Sequence, residues 1–142
     1  MASSRRKNDG SEAQDAFFDT MRKRPGVVIE RFWDQSDLRG RNGGRAVADY
    51  PKPADFLVTQ NATIEYAEVK SVQSATSFPF SNIERGQRSA ALRQALVGGP
   101  YNFYIFSYGL GRWFKMTAQF FSEAVAAGKA SAKFKDLTPW QL

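Results

Sequence analysis

Hydrophobic and polar residues change period several times along the chain, and each change marks an element. Residues 11–23, SEAQDAFFDTMRK, read as a helix, with Ser11 a candidate N-cap and acidic side chains in the first turn. Arg-Pro-Gly at 24–26 stops it, and the β-branched and aromatic run VVIERFW at 27–33 reads as a strand. Residues 34–53 are rich in glycine, proline and arginine and form a long irregular connection, which in a compact domain is functional or disordered. ADFLVTQ and ATIEYAEVKS are two strands around a polar break at Gln60-Asn61, an antiparallel hairpin. After the loop VQSATSFPFSN comes a helix at 83–97, closed by Gly98-Gly99-Pro100. The aromatic run YNFYIFSYGL is a strand, and Gly109 and Gly111 allow a turn into a further strand, RWFKM. Thr117 caps a last helix at 118–127, ended by Gly128, and in the tail Trp140 is placed to dock back. The order predicts an α/β fold, a mixed β-sheet flanked by helices, with no internal repeat.

Length and composition narrow the function. A chain of 142 residues suits one domain that buries roughly two thirds of its unfolded surface. Residues 1–10 read as a mobile basic tail, and 11–142 as the single domain. With 12 phenylalanines, the core should be phenylalanine-rich. The absence of cysteine excludes disulfides, and the absence of histidine excludes Ser-His-Asp and Cys-His nucleophiles and ordinary zinc sites. A catalytic site must then use carboxylates, Lys, Arg, Tyr, Ser or Thr, with a hard cation where one is needed. A net charge of +6 favours a polyanionic partner. No apolar run approaches the ~20 residues that span a bilayer, and the polar start is not a signal peptide, so a cytoplasmic, non-membrane protein is expected.

One constellation carries chemistry. Asp55 opens the first strand of the hairpin, while Glu68 and Lys70 lie near the end of the second. An antiparallel hairpin folds those ends to the same edge of the sheet. Side chains at i and i+2 share a face about 6.6 Å apart, so Glu68 and Lys70 point the same way. Two carboxylates and the Val69 backbone carbonyl make an oxygen site suited to Mg²⁺, or Mn²⁺ in its place. Such a cation activates water and neutralises phosphodiester charge, and Lys70 can position the water or stabilise developing charge. Charged residues on a solvated strand face are also common, and an ordinary ion pair is the alternative.

Pro53, Asp55 and Glu68-Val69-Lys70 together resemble the signature of the PD-(D/E)xK nuclease superfamily. Downstream, Thr76-Ser77-Phe78-Pro79 begins six residues after Lys70, Asn82 lies three after Pro79, and Gln87 five after Asn82. This spacing resembles the RecU family of Holliday-junction resolvases over 55–87. The resemblance implies a restriction-endonuclease-like core, Mg²⁺ dependence, a homodimer, branched DNA as substrate, and a bacterial or phage-infected host cell. It makes Asp55 and Glu68 metal ligands, Lys70 the catalytic lysine and Gln87 a supporting active-site residue. The chain departs from the family at 84–86, where histidines are usual, and in a shorter insertion at 34–53.

Arg39, Arg41 and Arg45 read as a phosphate-contacting loop, and Arg85 and Arg88 as further DNA contacts. A polar rim around the core explains Gln87 and Arg88 equally well, since Gln87 borders the helix face of Ala91, Leu92, Ala95 and Leu96 and Arg88 lies on it. Glu12 or Asp15 is a candidate for a first-helix acid at the site, although acids at helix N-termini are favoured anyway. The aromatics of 101–108 fit a buried central strand better than base stacking, and Phe78 and Phe80 are expected to brace the helix behind the site. The expected function is Mg²⁺-dependent endonucleolytic cleavage of four-way junctions in recombination and repair. The alternatives are a nuclease for flaps, ends or duplex, or an inactive DNA-binding accessory protein.

Overall fold

The first helix, α1 (Ser11–Met21), starts at a glycine: Gly10, with φ 78°, takes the N-cap position that Ser11 was expected to hold. The computed structural model describes residues 10–33 and 52–142. The rest of the expected basic tail and most of the 34–53 connection, with Arg39, Arg41 and Arg45, lie outside the described residues.

After α1 come β1 (Val27–Arg31), β2 (Phe56–Gln60) and β3 (Thr63–Val72). The β2–β3 hairpin is antiparallel, with Phe56 opposite Ala67 and Gln60 opposite Thr63. Its turn is Asn61-Ala62, one residue later than the expected break, with φ of 51° and 60°. Two successive positive φ values are the primed-turn geometry that matches strand twist, which Asn tolerates and Ala rarely adopts. The expected loop at 72–82 contains a short strand, β4 (Ser77–Pro79), and a 3-10 turn at Phe80–Asn82. Helix α2 (Arg85–Val97) ends at Gly98 in the left-handed conformation. It returns the chain to β5 (Tyr101–Ser107), which lies parallel to β3. Then follow β6 (Arg112–Thr117) and α3 (Ala118–Ala126), the latter capped as expected by Thr117 Oγ1, which accepts from the Phe120 amide at 3.0 Å. The tail is more regular than expected: β7 (Ser131–Lys133), a 3-10 turn at Phe134–Asp136 and β8 (Thr138–Trp140).

The main sheet has the order β1-β2-β3-β5-β6-β8, with only β3–β5 parallel, and β4 pairs with β7 in a separate ribbon. This is the mixed sheet flanked by helices that the chain order predicted. Residues alternate between its two faces. One face packs on α1 through Ala13, Phe17 and Met21 against Phe56, Val58, Val69 and Tyr104. Trp140 reaches this cluster and sits edge-on to Tyr104, ring centroids 4.7 Å apart. The other face packs on α2, α3 and the ribbon, through Ala90, Ala91, Phe121, Phe78, Phe80 and Phe134. Phe78 and Phe80 are thus core residues, Phe80 lying edge-on to Phe121. Helix α2 buries Gln87, Ala90 and Ala91 and packs Leu92 and Ala95 beside them, while Leu96, expected on its inner face, is 84% exposed because its position turns it about 140° round the helix from Ala91. With both faces covered, the β3–β5 pair is buried, and Tyr101, Phe103 and Tyr104 need no ligand to explain them.

Candidate active site

The site forms where β2 begins and β3 ends, a juxtaposition that follows from the hairpin. The backbone before β2 is tied down from two sides: Tyr101 donates its hydroxyl to the Pro53 carbonyl at 2.6 Å, and the Phe32 amide donates to the Asp55 carbonyl at 2.9 Å. The Asp55 carboxylate is then fixed by three donors. Oδ2 accepts from the Val69 amide at 2.8 Å, and Oδ1 accepts from Lys52 Nζ at 3.0 Å and Gln14 Nε2 at 3.2 Å. The amide and carbonyl of a strand residue face the same edge, so the Val69 carbonyl lies on the Asp55 side of β3.

Glu68 is 1% exposed. Its Oε1 is 3.4 Å from Lys70 Nζ, on the same strand face as the period of two requires, and its Oε2 is buried with no hydrogen-bond partner among the described residues. Burial pushes the Glu68 carboxyl well above its ordinary value; the charge of Asp55 pushes the same way, while Lys70 and Lys52 oppose it. The Tyr101 hydroxyl is also pushed far up, by burial and then by Glu68 and Asp55, which keeps it a donor.

Lys70 is held in turn. Its Nζ donates to Gln87 Oε1 at 2.9 Å, and the same oxygen accepts from the Glu84 amide at 3.1 Å, the return arm of a capping box at the start of α2. Asp55, Glu68, Val69, Lys70 and Gln87 therefore line one cleft of about 630 Å³, with Gln14, Lys52 and Asn82.

The other expected residues lie elsewhere. Arg85 is exposed, and Arg88 holds its guanidinium 5.7 Å over the Phe121 ring, at the core's rim; neither lines the cleft. Glu12 lies 3.5 Å from the Tyr108 hydroxyl and Asp15 3.4 Å from Arg31. Among the described residues no three acidic side chains cluster, and of the expected acids Asp55 and Glu68 are the two that line the cleft. From α1 it is Gln14 that reaches in. Sequence reasoning missed Gln14, Lys52 and the Tyr101 hydroxyl. A search limited to acids passes over Gln14, although it sits beside the buried Ala13–Phe17 stripe, and Lys52 was hinted at only by standing three residues before Asp55.

A buried carboxylate oxygen without a partner, beside a second carboxylate, is costly unless a proton or a cation joins it. The donor set is all oxygen. It fits a hard divalent cation and does not fit a soft one.

No family model matches this sequence, and no curated protein matches it. A solved structure similar to it is Hjc of Archaeoglobus fulgidus, described as a Holliday junction resolvase from an archaeal hyperthermophile. The two are 13% identical, 78% of each chain is covered, and the TM-score is 0.49. No helix among the described residues is long and apolar enough to cross a membrane.

Proposed function

We propose that this chain is a metal-dependent endodeoxyribonuclease that hydrolyses phosphodiester bonds in branched DNA. The observation that carries the reading is Glu68: a buried carboxylate with one oxygen on Lys70 and the other unpartnered, facing a cleft beside Asp55. Asp55, Glu68 and the Val69 carbonyl would hold a divalent cation such as Mg²⁺ or Mn²⁺, which when bound would supply a water of lowered pKa and neutralise phosphate charge.

The protein's own groups do the rest. Val69, Gln14 and Lys52 orient Asp55. Gln87 holds the Lys70 ammonium at the cleft wall, where it can donate to the attacking water or to a phosphate oxygen as negative charge develops. Because both groups are fixed before substrate arrives, little reorganisation is left for the reaction.

Four-way junctions are the preferred substrate in this reading. The support is the RecU-like spacing of Glu68, Lys70, Thr76, Asn82 and Gln87, together with the net charge of +6. Two copies of the chain, each cutting one strand, would match the roughly two-fold symmetry of a junction. End-labelled junction, flap and linear duplex, incubated in parallel with Mg²⁺, test the substrate class. Paired symmetric nicks in the junction, and slow cutting of the other two, are expected. Equal rates on all three would refute junction specificity and leave a general nuclease.

A further inference from the structure

Beside the cleft lies a second groove, of about 700 Å³, rimmed by Arg112, Lys133 and Lys135 over an apolar floor that includes Phe114. The two are separated by one stretch of chain: Val72, Gln73 and Ser74 line the cleft, and Ala75, Thr76 and Ser77 line the groove. That partition is firmly held. Ser107 Oγ donates to the Ser74 carbonyl at 2.7 Å, the Phe134 amide donates to the Thr76 carbonyl at 3.0 Å, and Ser77 pairs with Lys133 across the ribbon. The TSFP stretch therefore builds a shared wall between catalytic cleft and basic groove.

The three cations are exposed, and none forms an ion pair with a described residue. Positive side chains gathered around one groove without carboxylate partners repel one another, and a polyanion laid between them relieves that repulsion.

We propose that this groove seats the sugar-phosphate backbone of the DNA arm leaving the cleft, with phosphates on Arg112, Lys133 and Lys135 and sugars over Phe114 and Leu110. The proposal rests on the nuclease reading and adds a binding track to it. Phosphate-binding side chains of this kind position the duplex without reading its sequence.

The test is binding of a fluorescent four-way junction in EDTA, followed by anisotropy over a salt series. The protein carrying Arg112→Gln, Lys133→Gln and Lys135→Gln should bind about tenfold or more weakly, and its log-log salt slope should be shallower by about 0.9 for each phosphate no longer neutralised. A control with Arg22→Gln, Lys23→Gln and Arg93→Gln removes the same charge elsewhere and should stay close to wild type. Arg112→Lys with Lys133→Arg and Lys135→Arg keeps the charge and should bind as wild type. Equal loss in groove and control triples, no loss in the groove triple, or loss in the charge-keeping triple overturns the groove. If wild type cuts and binds while the groove triple is unaffected, the groove alone fails. If wild type binds no DNA, the nuclease reading fails and the groove with it.

Discussion

Gln87 Oε1 accepts two hydrogen bonds at once, from Lys70 Nζ at 2.9 Å and from the Glu84 amide at 3.1 Å. One carboxamide thereby ties the cleft's ammonium on β3 to the first turn of α2. Gln87→Ala removes both bonds. Loss of the cap should cost about 1 kcal/mol of stability. A displaced Lys70 should slow single-turnover cleavage by about tenfold to a hundredfold. A melt and a quench-flow time course check the two effects separately; full activity with lowered stability would reduce Gln87 to a cap.

Glu68 gives a pH dependence of stability. Its folded pKa is raised, chiefly by burial. Between the unfolded and folded values the native state therefore holds the proton that the unfolded chain has lost. Stability contributed by the protonated carboxyl is present at low pH and declines as pH rises through that window. Metal-free wild type should lose stability relative to Glu68→Gln as pH climbs above the ordinary carboxylate range. At alkaline pH, Mg²⁺ should raise the melting temperature of wild type and leave Glu68→Gln unmoved. Parallel pH-melt curves for the two proteins, with no response to Mg²⁺ in either, would contradict this.

Gly109 guards the wall between cleft and groove. A Cβ there would stand 2.6 Å from the Gln73 carbonyl oxygen and 2.9 Å from the Ala75 amide nitrogen, both backbone atoms that cannot swing away. Gly109→Ala should destabilise by about 1–3 kcal/mol and displace the 73–75 segment. Chemical denaturation and junction binding read the two consequences; an unchanged midpoint would show that the segment yields.

Tyr101→Phe deletes the hydroxyl that holds the Pro53 carbonyl at 2.6 Å. The expected cost is about 1–2 kcal/mol, with only a modest fall in cleavage, because the Asp55 carboxylate keeps its three donors. A collapse of activity without loss of stability would instead assign the hydroxyl to the chemistry.

The parts of this protein that were legible in its sequence are those fixed by local period and chain reversal. A ten-residue β3 with Glu68 and Lys70 two apart, joined by a tight turn to a strand that Asp55 immediately precedes, leaves one way to bring them together. Gln87 was legible through its spacing from Lys70, but its double hydrogen bond needed the approach of α2 to the sheet. Strands β7 and β8 are three residues each, too short for an alternating pattern, and a proline such as Pro139 inside β8 is disfavoured within a strand. It is tolerated there because β8 is an edge strand. Gln14 reaches Asp55 across 41 residues, a pairing set by how α1 lies on the sheet.

The most direct test of the central claim uses a labelled synthetic four-way junction, with wild type and Glu68→Gln, in Mg²⁺ and in EDTA, resolved on a denaturing gel. Wild type should nick paired strands in Mg²⁺ alone, and Glu68→Gln should cut nothing while still retarding the junction on a native gel. Cleavage by Glu68→Gln near the wild-type rate, or no cleavage by wild type in Mg²⁺ or Mn²⁺, would contradict the assignment of this cleft as a metal-dependent nuclease site.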